Sequence, residues 1–200
     1  MWTATVDRRA GYVAISSIMP TIFSHAVAAI ALGKVYAGEK MPARFWLLSV
    51  LCAILPDADV IAFSFRLGRG SMLGHRGFSH SLTFALLLAL LIVWLAFRKT
   101  PAFSKRWWAL VLYFFAVTAS HGLLDALTDG GSGVAFFAPF DGTRYFFPWR
   151  PIEVSPISLD RFLSSRGVEV IGSEVVWIWI PAALLVISAW GYRRLRASLK

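Results

Sequence analysis

Three apolar runs, residues 82–97, 107–128 and 175–192, approach the length of about 20 residues that a helix needs to cross bilayer hydrocarbon. No other feature narrows the fold so far, because a backbone in hydrocarbon must satisfy its own hydrogen bonds and is therefore helical or part of a closed barrel. Unbroken runs of this length read as helices rather than strands. Two further stretches, 21–36 and 42–55 with a weak continuation to 65, are short or interrupted. Apolar residues make up 58% of the chain and charged residues 16%, with a mean hydropathy of +0.65, beyond the range of an ordinary soluble domain. The expected fold is an all-α integral membrane protein of four to five transmembrane or re-entrant helices, one polytopic domain over residues 1–200. Residues 129–174, broken by Gly130, Gly131, Gly133, Pro139, Pro148, Pro151 and Pro156, form a long extramembrane connection expected to fold over one face.

The net charge of +9 does not predict nucleic-acid binding, because the cations flank apolar runs, as in Arg98-Lys99, Lys105-Arg106 and Arg193-Arg194, where they anchor to lipid headgroups. Tryptophans near the segment ends fit an interfacial belt. The lone Cys52 excludes an internal disulfide and a cysteine-based zinc knuckle. A cleavable signal peptide beginning near Arg8-Arg9 is disfavoured, since Pro20 and His25 interrupt its apolar region.

Every histidine lies at the end of an apolar stretch. His25 opens the first, Asp57 and Asp59 follow the first part of the second, His75 and His80 precede the third, and His121 and Asp125 close the fourth. Threading the segments alternately across the bilayer puts all of these ends on one side, where a shared pocket accounts for them better than scattered packing roles. His121 and Asp125 are four apart and share a helix face, with Thr128 and Asp129 continuing the stripe. Pro56 breaks the second segment and lets both neighbouring aspartates turn inward, though a single aspartate could equally cap a following helix. Ser79 is the expected N-cap of the third helix, with His80 in its first turn. His75 and Arg76, on the preceding loop, suit a further ligand, a proton donor or a phosphate clamp.

The ordered motifs Ser24-His25, Leu55-Pro56-Asp57-Ala58-Asp59, His75-Arg76-Gly77 with Ser79-His80-Ser81, Ser120-His121 with Asp125 and Thr128-Asp129-Gly130-Gly131, and Tyr145-Phe146 with Pro148-Trp149-Arg150-Pro151 resemble the YdjM-like inner-membrane proteins over most of the chain. That family is described as LexA-regulated, membrane-bound predicted metal-dependent hydrolases. The resemblance implies a helical, multi-pass protein of the bacterial inner membrane, tied to the SOS response, with a metal-dependent hydrolase assignment.

A ligand set of His25, Asp57, Asp59, His80, His121 and Asp125, without sulfur, suits Zn²⁺ or Mn²⁺. More than four ligands suggests two ions, activating water as the nucleophile. His75, Arg76 and Asp129 are the candidate catalytic residues, and Arg144 and Arg150 the candidates for binding a phosphate, with headgroup anchoring as the other use of these arginines. The leading expectation is a hydrolase acting on a phospholipid or other lipid-linked phosphoester, a zinc- or manganese-dependent phosphoesterase. A transporter or metal-binding protein using the cluster as an ion or proton site is the alternative, and a purely structural metal a third reading. Positive charge packed beside the spans predicts a cytoplasmic C-terminus and a site on the outer side.

Overall fold

The computed structural model describes residues 21–37, 40–65, 71–156 and 159–199, with side chains at all of these but 61–65, 159 and 161. Arg8, Arg9 and Pro20, used above for the signal-peptide reading, lie outside the described residues, as do Arg66, Arg69 and Lys200 among the charges that bear on orientation. The elements are α1 (Ile22–Tyr36), α2 (Ala43–Ile54), a 3-10 stretch (Leu55–Phe65), a 3-10 turn (Phe78–His80), α3 (Leu82–Ala96), α4 (Lys105–Ala126), the short α5 (Leu159–Phe162), α6 (Ser165–Glu174), a π-helical turn (Val175–Trp179) and α7 (Ile180–Ser198). Among the described residues there are helices and two isolated bridges, Thr128 with Ile152 and Val134 with Tyr145, but no strand.

Two helices are long and apolar enough to cross a membrane, Lys105–Ala126 and the continuous Ser165–Ser198 of 34 residues. Ile22–Tyr36 and Leu82–Ala96 are apolar but shorter. Residues 165–174, counted with the connection in the sequence, form α6 and run directly into the last apolar segment, so the irregular part ends before Ser165.

α4 is the central helix. It buries Trp107, Leu110, Val111, Phe114, Val117 and Thr118 along most of its length. α3 is apolar all round yet buries only Ala85, Ala89 and Val93, a stripe repeating every four residues that lets it pack closely on α4. Its other faces leave Leu87, Leu91 and Trp94 exposed. α7 has no buried residue. Large apolar side chains left uncovered around helices are what a hydrocarbon surround permits. The connection folds back over the far end of α4: Phe147 donates its amide to Ala126 O, Asp129 to Ile152 O, Ala135 to Arg76 O, and Leu82 to Phe136 O.

Candidate metal centre

Three features bring distant residues to one point. The first is Pro56. In the 3-10 pattern starting at Leu55, the carbonyl of Ala53 would meet the N–H of residue 56, and proline has none. That carbonyl instead accepts from His121 Nδ1 at 2.7 Å. A carbonyl only accepts, so His121 Nδ1 carries a proton, and in the neutral ring Nε2 is then the lone-pair nitrogen that a cation could take. The second is the residue before α3. The N-cap is Ser81, whose hydroxyl accepts from the amide of Phe84, and not Ser79 as expected. His80 therefore ends the 3-10 turn rather than entering the helix, and Ser79 is free to donate to Asp59 Oδ2 at 2.5 Å. The third is Gly122, where a Cβ would lie 2.8 Å from His80 O, so the backbone of α4 approaches the turn closely.

The result is a buried set of Asp57, His80, His121 and Asp125, each offering a ligand atom within 4.8 Å of the others. His121 Nε2 lies 3.0 Å from His80 Nε2 and 3.1 Å from Asp57 Oδ1. His80 Nε2 is 3.2 Å from Asp125 Oδ2 and 3.5 Å from Asp57 Oδ1. These separations bracket the edge of about 3.4 Å for a tetrahedron with bonds of about 2.1 Å. Behind His80, Asp59 Oδ2 lies 3.1 Å from Nδ1, and Asp59 Oδ1 lies 2.6 Å from His75 Nδ1. Asp59, His75 and His80 form a second group of ligand atoms within that same span.

His25 stacks on His121 with ring centroids 3.8 Å apart. It is fully buried, and neither ring nitrogen has a hydrogen-bond partner; Nε2 lies 3.8 Å from Asp125 Oδ1. Asp57 Oδ2 is likewise buried without a hydrogen bond. Buried polar atoms are almost always satisfied, so these orphaned acceptors around bare nitrogens fit a cation.

Charge gives the same answer. The cluster holds three carboxylates, Asp57, Asp59 and Asp125, and one fully buried guanidinium, that of Arg76, whose Nε is 3.1 Å from Asp125 Oδ2, while the half-buried Arg144 lies on the Asp59 side. With neutral histidines the buried groups alone sum to two negative charges, a balance that suits a divalent ion; without one, a proton on His80 takes up part of it. Burial alone would lower the pKa of His80, but hydrogen bonds to Asp125, Asp57 and Asp59 outweigh it and raise the value well above the ordinary 6.5.

Arg76 is less a loop residue than a buried strut. Its backbone takes the left-handed conformation at φ 61, its side chain is completely buried, and it donates to Gly130 O at 2.9 Å and Thr128 Oγ1 at 3.0 Å. Gly131, at φ 90, leaves the room: a Cβ there would lie 2.4 Å from an Arg76 terminal nitrogen.

The remaining candidates take other positions. Arg144 donates to Ser71 O, His75 O and Arg76 O at 3.1 to 3.2 Å, holding the loop rather than standing as an open phosphate clamp. Arg150 lies over the Phe146 ring at 4.8 Å. Asp129 is exposed and accepts from the Val154 amide at 2.8 Å, tethering the connection. The structure brings none of these three into the ligand groups. Glu174, which the sequence reading passed over, is completely buried. It accepts from the Thr21 amide and hydroxyl and from Ser24 Oγ, while Trp179 Nε1 donates to that same Ser24 oxygen. This network fixes the start of α1, and so His25, against the long helix. An acid immediately before an apolar run was the available signal.

Residues 19–197 match the model of a family described as YdjM inner membrane protein. The Escherichia coli (strain K12) protein called inner membrane protein YbcI is 39% identical over 176 residues, 88% of this chain and 100% of that protein. No solved structure matches. By the extent of both matches the chain belongs to the YdjM inner membrane protein family.

Proposed function

We propose that this protein is an integral, multi-pass membrane hydrolase that holds a divalent metal in the His/Asp cluster and cleaves a lipid-linked phosphoester. The observation that carries the reading is the His121 Nδ1 bond to Ala53 O, which in the neutral ring leaves His121 Nε2 as the lone-pair nitrogen facing His80, Asp57 and Asp125.

Asp57, His80, His121 and Asp125 would hold the ion, with His25 beside them as a further ligand. Zn²⁺ or Mn²⁺ suits this nitrogen and oxygen set, and supplies Lewis acidity and a water acidic enough to attack near neutral pH. Asp59, anchored by Ser79, orients His80 from behind. The second group, Asp59 with His75 and His80, supports the two-ion version, and metal stoichiometry distinguishes the two. His75, held by Asp59, suits proton delivery to a leaving oxygen. Arg76 balances Asp125 and keeps that carboxylate ionised for its ligand role. Phosphoester is favoured because the chain is a membrane protein whose cluster lies at the ends of apolar segments, where a lipid's headgroup linkage lies within reach. Helices α1 to α4 and the last long helix would provide the four to five spans, with the cluster on the outer face.

The test is purified protein in detergent, stripped and reloaded with Zn²⁺ or Mn²⁺, offered a panel of lipid phosphoesters beside a water-soluble carboxyl ester. Metal-dependent turnover of a phosphoester that is lost in H121A supports the reading. Full metal loading with no turnover across the panel, joined to metal-dependent ion flux in liposomes, would overturn it in favour of transport.

A further inference from the structure

The end of the bundle opposite the cluster holds a cavity of about 470 Å³ whose wall includes Lys40, Arg44, Lys99 and Arg106 and no carboxylate. These four come from separate places: the α1–α2 connection, the start of α2, the turn after α3 and the start of α4. All four are exposed, and among the described residues none forms an ion pair, the Arg/Lys–carboxylate pairs being those of Arg76 and Arg166. Ten of the eleven acids lie elsewhere in the sequence; the exception, Glu39, lies outside the described residues. Four like charges around one cavity repel one another, and headgroup anchoring by scattered cations does not require them to converge.

The cavity does not end at the charges. Phe97 and Thr100 also line a neighbouring cavity of about 450 Å³. That cavity shares Trp94 and Trp107 with a third of about 380 Å³, whose wall is apolar and adds Leu90, Leu91 and Phe103. Arg44 lies over the Phe97 ring at 5.2 Å, at the junction of the charged and aromatic walls. Three neighbouring cavities that share wall residues, cationic at one end and apolar along α3 at the other, have the layout of an amphiphile with an anionic head. A free anion would need only the first chamber.

We infer that this end is a binding site for an anionic phospholipid, its phosphate among Lys40, Arg44, Lys99 and Arg106 and one acyl chain in the groove of Leu90, Trp94, Phe103 and Trp107. The site is separate from the metal cluster and does not depend on the hydrolase reading. Guanidinium groups bind phosphate in a two-pronged way, and the lysines add point charge. The zwitterionic headgroup of phosphatidylcholine offers no net charge to balance the four cations.

The full-length protein in a non-ionic detergent can be titrated with short-chain phosphatidylglycerol, short-chain phosphatidylcholine and inorganic phosphate, with binding read from native mass spectra and from tryptophan fluorescence. Phosphatidylglycerol should bind at least about tenfold more tightly than phosphatidylcholine, and the R44Q/R106Q pair should lower that affinity by roughly 10- to 30-fold. F103A should weaken the lipid and leave phosphate unchanged. A parent-like far-ultraviolet circular dichroism spectrum and gel-filtration elution verify that these variants are folded. Equal affinity for the two lipids, or full affinity in R44Q/R106Q, would overturn the proposal. Phosphate binding as tightly as the lipid would overturn it in favour of a free anion.

Discussion

The two ends of the bundle handle charge in opposite ways. At the cluster end, three carboxylates, four histidines and Arg76 are buried or nearly so, and several of their bonds, to one another and to backbone carbonyls, span more than 40 residues. At the other end, cations are exposed and unmatched, and the buried material beneath them is aromatic: Phe45 stacks on Tyr113 at 4.7 Å, and Tyr113 shares a 2.6 Å hydrogen bond with Ser49. Charge brought inside must be balanced by the chain itself or by an ion of fixed valence. Charge left outside can wait for a partner from the membrane.

Substitutions can break that contrast, and the largest effect falls on the ligands. H121A or D125N should lower metal affinity by well over the roughly 10- to 100-fold typical of outer-shell changes, measured as bound metal after dialysis against a weak chelator. Full metal content in H121A would mean that the lone pair derived from the Ala53 bond is not a ligand. Next is R76Q, which leaves Asp125 buried without its guanidinium and should cost about 3–5 kcal/mol in unfolding free energy. R76Q with parental stability would show that the cluster end does not balance its own charge. D59N and S79A release His80 from behind and should weaken metal binding by about 10- to 100-fold while leaving stoichiometry unchanged. A changed stoichiometry in D59N would instead mark Asp59 as a ligand of a second ion.

A pH series sharpens the same point. The carboxylates raise the pKa of His80 well above 6.5, so proton and metal compete for it over an extended range. Metal affinity should rise with pH and continue rising past 6.5. Without metal the sign for folding is the reverse: a raised pKa contributes stability that is present at low pH and is lost as pH rises through the folded value. Affinity that levels off below 6.5 would remove His80 from the ligand set. The smallest expected effect is at the other end, where R44Q/R106Q should leave metal content and its pH dependence unchanged; a shift in either would mean the ends are coupled.

Much of the cluster was legible because its signals are local. The four-residue spacing of His121 and Asp125, the proline before Asp57 and the placement of polar residues at segment ends each depend on a few neighbours and on the requirement that hydrocarbon be crossed by helices. What was not legible depends on choice between equivalents or on remote partners. Ser79 and Ser81 are equally good caps by chemistry, and the selection of Ser81 rests on Asp59, 20 residues away, engaging Ser79. The burial of Arg76 depends on a left-handed backbone and a glycine 55 positions later, and the part taken by Glu174 depends on Thr21 and Ser24, about 150 positions earlier. The extent of α6 was hidden because its ten residues, Ser165–Glu174, are polar enough to read as connection.

The continuous helix Ser165–Ser198 has a further consequence. Its 34 residues extend about 50 Å at 1.5 Å per residue, whereas hydrocarbon is about 30 Å thick. Only its apolar part, residues 175–192, is of a length to lie in hydrocarbon, and the polar ten residues before it project beyond. Glu174 marks the junction of the two parts. It joins the rod to Thr21 and Ser24 at the boundary between the polar ten residues and the apolar remainder, so the level at which the rod leaves the hydrocarbon is also the level of His25. On the proposed reading the rod would work as a depth stop, holding the cluster at the height of lipid headgroups, where a lipid diffusing sideways would meet it without lifting its chains into water.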